Sequence, residues 1–223
     1  FYSQTRFSYK ELASLENRVI RYSENNGFPF ARIGLDSIAF SDSYFTATLN
    51  YEYGPLIRFD TIAIVGDVRV KRKYLESYLG FKKGALYSQQ KVKNLERQLK
   101  QIQYMKVVKP PEVFFSNGKA QPVLFINSRK CNQLDGYLGF QPNTNGKLLL
   151  TGEFNMKLKN LFHSGKELFV QWKSFNVQSQ LLKTSYYHPR LFRSNLDWKV
   201  NFNFFKQDTS YLISDRSTSI YLS

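Results

Sequence analysis

Cysteine is nearly absent: Cys131 is the sole one in 223 residues. One thiol closes no intrachain disulfide and builds no cysteine-based metal site. No run of about 18 apolar residues occurs, so no helix is expected to cross a bilayer. No basic-then-apolar leader stands at the start; the chain opens on Phe1, and a processed or trimmed chain is expected. Acidic residues are scarce, 17 Asp and Glu against 32 Lys and Arg, which leaves a formal charge of +15. Gly-x-Ser-x-Gly, His-Glu-x-x-His and a Walker-type phosphate loop are all missing. The two histidines, His163 and His188, fall in expected turns and read as surface residues. Cys131 reads as structural or incidental. No enzyme, cofactor or metal is expected.

Aromatic residues are plentiful, with 20 Phe and 15 Tyr. Hydrophobic residues make up 42%, too many for a disordered chain. The charge is uneven. Residues 1–56 hold 5 basic and 6 acidic residues, 57–130 hold 16 and 5, and 131–223 hold 11 and 6. The middle block carries most of the excess. A basic block suggests an anionic partner or a solvated surface; no nucleic-acid motif accompanies it.

The first third predicts a helix over 8–26. Ser8 and Glu11 have capping-box spacing, and Leu12, Leu15, Val19 and Tyr22 lie at helical intervals. Two strands follow, 31–40 and 44–53, joined by Ser41-Asp42-Ser43. Phe45, Ala47, Leu49 and Tyr51 alternate with polar residues, so one face is expected to be buried.

The middle block predicts a β-α-α-β-β unit. Its first strand, 57–65, places Ile57, Phe59, Thr61, Ala63 and Val65 on one face. A short basic helix spans 71–79. A longer one spans 89–103, with Val92, Leu95, Leu99 and Ile102 on one side. Strands 105–115 and 120–127 form a hairpin across Asn117-Gly118, a strong turn signal. Residues 1–56 read as the last helix and hairpin of a similar unit.

From Cys131 onward the pattern is all strand. Leu148, Leu150, Gly152, Phe154, Met156 and Leu158 alternate with residues of mostly polar type, as do Leu196, Trp198, Val200, Phe202 and Phe204. About five strands of ten or more residues are expected. A soluble sandwich would cover their apolar face with a second sheet. A transmembrane barrel would turn it to lipid, and strands of about 9–11 residues suit a tilted crossing.

Five short motifs then carry a resemblance. They are Asn26-Gly27-Phe28-Pro29-Phe30-Ala31; Tyr53-Gly54-Pro55 with Phe59-x-x-Ile62-x-Ile64-x-Gly66; Lys83-Gly84-x-x-Tyr87-Ser88; Asn160-Leu161-Phe162-x-x-Gly165-Lys166-Glu167-Leu168; and Tyr186-Tyr187-x-Pro189-x-Leu191-Phe192. In order and spacing they resemble the Omp85 superfamily of outer-membrane β-barrel proteins, of the assembly-factor type. His163 departs from that family's usual glycine, and its Arg-Gly-Phe/Tyr motif is not in this chain.

The resemblance implies α+β POTRA domains followed by an antiparallel segment forming the N-terminal part of a transmembrane β-barrel. The implied division is 1–55, the end of a penultimate POTRA; 56–130, a complete last POTRA; and 131–223, the first barrel strands. That family's barrel has sixteen strands, so these strands cannot close one alone. The implied location is the bacterial outer membrane, with POTRA domains in the periplasm. The implied function is insertion of other outer-membrane proteins. Unfolded clients, the lipid bilayer and accessory lipoproteins or periplasmic chaperones are the implied partners; nucleic acid is not. The alternatives are a secretion pore, the anchor of a patatin-like lipase, and a soluble basic β-rich binding protein.

Three candidate sites follow. Exposed strand edges at Ala31, Ile33 and Leu35, and at Met105 and Val107, would receive client strands. Pro110 and Pro111 interrupt the second edge, whereas nothing of that kind breaks the first. A barrel seam would lie at Leu134, Gly136, Leu138, Gly139 and Phe140, where glycines either weaken the strand or mark a bulge. A basic face of Lys71, Arg72, Lys73, Lys91, Lys93, Arg97 and Lys100 would meet anionic headgroups or water.

Overall fold

The computed structural model describes residues 8–41, 44–142, 148–174, 179–207 and 211–222. The expected turn at Asp42-Ser43 lies outside them. The chain forms two compact units, one of residues 1–65, 80–98 and 109–125, the other of 66–79, 99–108 and 126–223.

Helix α1 spans Tyr9–Asn25. Ser8 is its N-cap, yet its side chain makes no capping bond; its carbonyl instead accepts the N–H groups of Glu11 and Leu12. The expected capping box is therefore not made. Strands β1 (Arg32–Ser41) and β2 (Tyr44–Glu52) pair antiparallel as a two-stranded sheet. Their register slips between Asp36 and Ala39, where Ser37 takes φ +52° and donates its N–H to Asp36 Oδ1. This bulge interrupts an edge expected to run unbroken.

The expected strand 57–65 is two short ones, β3 (Arg58–Phe59) and β4 (Ala63–Val65). Asp60 turns its carboxylate onto the N–H of Thr61 and gives its own N–H to Ala120. The side-chain alternation slips there. Ile62 enters the core at 1% exposed, while Val65, expected inside, is 51% exposed. Helix α2 spans Arg72–Tyr78 and α3 spans Gln89–Gln101. Leu75 is fully buried on α2, as are Leu95 and Leu99 on α3, with Ile102 just beyond. Their spacing fills one helical stripe, which is what holds a helix to a sheet.

Strands β5 (Met105–Ser116) and β6 (Lys119–Ser128) pair across Asn117-Gly118. Both turn residues have positive φ, +48° and +70°, as a two-residue hairpin of matching twist requires. β6 is central: β3 and β4 pair parallel to it and β5 pairs with it as well. Phe59, Ala120, Leu124 and Ile126 are buried on this sheet.

Six further strands follow, where about five were expected. They are β7 (Gln133–Pro142), β8 (Leu148–Leu161), β9 (Lys166–Ser174), β10 (Gln180–His188), β11 (Leu196–Gln207) and β12 (Tyr211–Leu222). Neighbours in sequence pair antiparallel, and β7 and β12 end the sheet without pairing to each other among the described residues. His188 closes β10 instead of sitting in a turn. A short 3₁₀ turn at Leu191–Arg193 is the one helical piece described here.

Register decides what alternation in single strands leaves open. Gly136, Phe154, Trp172, Leu182, Phe204 and Ser214 form one row across the sheet. Leu134, Met156, Val170, Thr184, Phe202 and Arg216 form another. Both rows consist of even-numbered residues and are mostly apolar. The odd-numbered row Asp135, Asn155, Gln171, Lys183, Asn203 and Asp215 is polar. One face is thus apolar across β7 to β11. On β12 the even positions Ser214, Arg216 and Thr218 break the apolar surface, and the Arg216 guanidinium lies 5.8 Å from the Phe202 ring.

Candidate functional site

The first unit holds a tight joint between α1 and the middle block. Asn25, at the end of α1, accepts hydrogen bonds through Oδ1 from Ser88 Oγ at 3.0 Å and from the Gln90 N–H at 2.9 Å. One helix's last residue thereby satisfies a free donor at the start of another, which is the job of a cap. Gly27 donates to the Tyr87 carbonyl, Ile57 to that of Gly27, and Tyr87 to that of Ile57. Aromatic contacts join Phe28 to Tyr53, Phe30 to Phe115, and Tyr87 to Phe115. The Asn26–Ala31 and Tyr53–Pro55 motifs both lie here.

Of the expected edges, β5 carries Met105 and Val107. Among the described residues it pairs only with β6, so its other side is open. The strand runs through Pro110 and Pro111, which sit within it and break only its donor pattern. On β1, Ile33 and Leu35 pair with Tyr51 and Leu49 of β2, and Ala31 falls just before the strand. Met105 is buried, so the chemistry of the β5 edge is its backbone.

The seam residues fall on β7, an end strand that pairs on one side only, with β8. Leu134, Leu138 and Phe140 are exposed. Gly136 and Gly139 make neither a bulge nor a break in the register. A Cβ at Gly136 would run into the Glu153 carbonyl, and one at Gly152 into that of Tyr137. These glycines let the β7 and β8 backbones approach closely.

The second unit contains an arrangement that side-chain type alone did not single out. The turn between β8 and β9 and the one between β10 and β11 lie at the end of the sheet where β7 begins. In the first, Asn160 takes φ +57°, a conformation that asparagine tolerates better than most residues. Its Nδ2 donates to the Arg69 carbonyl at 2.9 Å, and its Oδ1 accepts from the Gly165 N–H at 3.1 Å. The Lys71 N–H donates to the His163 carbonyl at 2.7 Å. Gly165 has φ +70°, and a Cβ there would run into the Tyr74 ring and hydroxyl. In the second turn, Arg190 donates through Nη2 to the Tyr78 carbonyl and stands over the Tyr78 ring. Buried Asp197 orders that turn by accepting from the Tyr187 hydroxyl and the Arg190 N–H. Both turns therefore grip α2. Tyr104 donates to Tyr74 Oη at 3.2 Å, and burial raises both phenols, Tyr74 to about 12.

Lys159 is 6% exposed, bonds to Gln103 Oε1 and faces Glu167 at 3.7 Å. An ionised side chain so far from water needs both partners. The signal for this cluster was present in the Asn160–Leu168 and Tyr186–Phe192 motifs, but not the partners, which lie in the 69–104 region. Cys131 is half-buried and its thiol is raised, first by burial, as suits an unreactive side chain.

The expected basic residues are all exposed, with Lys71, Arg72, Lys73 and Lys100 in the second unit and Lys91, Lys93 and Arg97 in the first. Among the described residues no cluster of three His, Cys, Asp or Glu is placed to hold a metal.

Residues 57–125 match the POTRA family, described as a surface antigen variable number repeat. No curated protein matches the sequence. Among solved structures, BamA from Haemophilus ducreyi lacking POTRA domains 1–3 aligns with 99% of this chain, at a TM-score of 0.60 and 16% identity. CdiB from Acinetobacter baumannii aligns with 96%, at 0.51 and 13%. The chain spans 42% and 41% of those two chains, less than half of either. Identities this low define a fold. The fold is a POTRA domain at 57–125 followed by an unclosed six-stranded antiparallel sheet like the barrel part of that BamA chain.

Proposed function

We propose that the chain belongs to an outer-membrane protein that moves other polypeptides into or across the membrane, and that its role is insertion of client barrels. The chain would then comprise the end of one POTRA domain (1–55), a whole one (56–130) and the opening of a barrel (131–223), with the POTRA part in the periplasm. One observation carries the reading. β7 follows the POTRA domain directly and pairs on one side only, beside an apolar sheet face. Its open backbone groups are a template for an incoming strand, and burial of the new strand's apolar face in lipid drives the step. No nucleotide is needed. The free sides of β1 and β5 would hold clients beforehand, with periplasmic chaperones or lipoproteins as delivery partners.

The test is a photo-crosslinking amino acid placed at Leu138 of β7, and at Leu182 in the sheet interior, in the full-length protein in cells. Adducts with unfolded outer-membrane proteins at Leu138 and not at Leu182 are expected. Adducts only with an exported polypeptide would make the protein a secretion pore. No adduct at Leu138 would overturn the seam.

A further inference from the structure

The turn that grips α2 also walls a pocket of about 400 Å³ in the second unit. Its lining includes Arg69, Arg129, Lys130, Lys159 and His163, and no carboxylate. A smaller pocket of about 280 Å³ adjoins it, shares Arg129, Lys130 and Lys159, and adds Lys157. Of these arginines and lysines only Lys159 has an acidic partner within salt-bridge distance among the described residues, Glu167. Asp67 accepts the Ser128 N–H at 2.6 Å and keeps its negative charge, so Asp67 and Glu167 are the counter-charges set against these side chains. Like charges in excess of their counter-charge repel one another, and an anion relieves that cost. The buried Lys159 gives the floor of the pocket a fixed position, and Arg129 and Lys130 stand exposed at its mouth.

The location narrows the anion. The pocket lies where the POTRA domain passes into β7, at one end of the apolar sheet face. Phe162, beside His163, is 71% exposed there, and Leu134 on β7 is 70% exposed. Basic groups next to exposed apolar ones suit a ligand with a charged head and a greasy tail.

We propose that this pocket binds a phosphate group, supplied by the headgroup of an anionic phospholipid, with free phosphate as the other source of the same chemistry. The lipid source rests on the membrane reading above; phosphate capture by these five residues does not. Arginine and lysine supply a fork and a point charge to the phosphate oxygens. None of the five belongs to the exposed basic helices 71–79 and 89–103.

The experiment uses the full-length protein in a neutral detergent, titrated with dihexanoyl phosphatidylglycerol, dihexanoyl phosphatidylcholine and inorganic phosphate. Binding is read by calorimetry at low and high salt. The variants are R129Q with K130Q, R69Q alone, and K82Q with K119Q as an exposed basic control elsewhere. Phosphatidylglycerol should bind more tightly than either other probe. The R129Q/K130Q pair should weaken it roughly tenfold or more and flatten its salt dependence, R69Q should weaken it less, and the control should change nothing. Equal binding of inorganic phosphate, lost in the same variants, would identify free phosphate as the source. Binding that is unchanged in R129Q/K130Q and R69Q would overturn the site. Insertion of the same variants into vesicles, scored separately, reports on the membrane reading, so failure of one does not pass for failure of the other.

Discussion

At the scale of single residues, the chain spends unusual backbone conformations on the end of the sheet that holds α2. Asn160, Phe162, His163, Arg190 and Phe192 all have φ between +51° and +58°. Such positions cost of order 1–3 kcal/mol each unless the surroundings hold them, and here the hydrogen bonds to Arg69, Lys71 and Tyr78 do so. Gly165→Ala combines a positive φ with a collision against Tyr74, and should lower stability by about 2 kcal/mol or more; a thermal unfolding midpoint equal to wild type would refute this. The paired tyrosines add a pH test. Tyr74 holds its proton to about pH 12 in the folded state, against 10.0 ordinarily. Its contribution is complete below pH 10 and is lost as pH climbs toward 12, by on the order of 2–3 kcal/mol. Tyr104 acts in the same direction. Denaturation followed from pH 9 to 12 should show that decline, and Tyr74→Phe with Tyr104→Phe should blunt it.

Elements were legible where their periodicity was long. α3 lies within the predicted range because Leu95, Leu99 and Ile102 share one stripe and are all buried. The strand 57–65 was misread because Asp60 pairs with local N–H groups, and a side chain that competes with the ladder ends it. Nothing in a period-two pattern reveals that competition. The capping box at Ser8 and Glu11 failed for a related reason: spacing permits a cap without requiring one. At α3 a cap does form, from Asn25, 63 positions before Ser88, together with Ser88 itself, whose Oγ accepts the Lys91 N–H at 3.4 Å. Asn25→Ala should cost about 1 kcal/mol, seen as faster amide exchange at Gln90; unchanged exchange there would remove Asn25 from the role of cap.

At the scale of the whole molecule, the two faces of the six-stranded sheet differ in chemistry. Phe202 lies on the apolar face and Asn203 on the polar one. In a bilayer Phe202→Lys should cost roughly 2–4 kcal/mol and Asn203→Lys almost nothing. Folding of full-length protein into vesicles, followed by protection from protease, measures the difference; equal yields for the two variants would speak for a face that never meets lipid. The candidate sites were legible only in part. The open sides of β7 and β5 could be expected from sequence, because a strand's rank in a known topology says which side pairs. The grip on α2 and the phosphate pocket could not, because Arg69, Tyr74 and Tyr104 are polar or aromatic residues of ordinary type until the fold sets them beside Asn160, Gly165 and Lys159.

The sparse cysteine, the missing long apolar run and the strict alternation after residue 131 were decided by the sequence alone. They are local properties, set by side-chain chemistry and a period of two residues. Whether five apolar half-faces, β7 to β11, add up to one surface was decided by register, since a slip of one residue in any pair would have turned a strand inside out. The single basic excess of the composition was likewise divided only by the tertiary structure. Lysines on the helices are exposed, while Lys159 and its neighbours line a pocket, because burial and counter-charge depend on residues far apart in the chain.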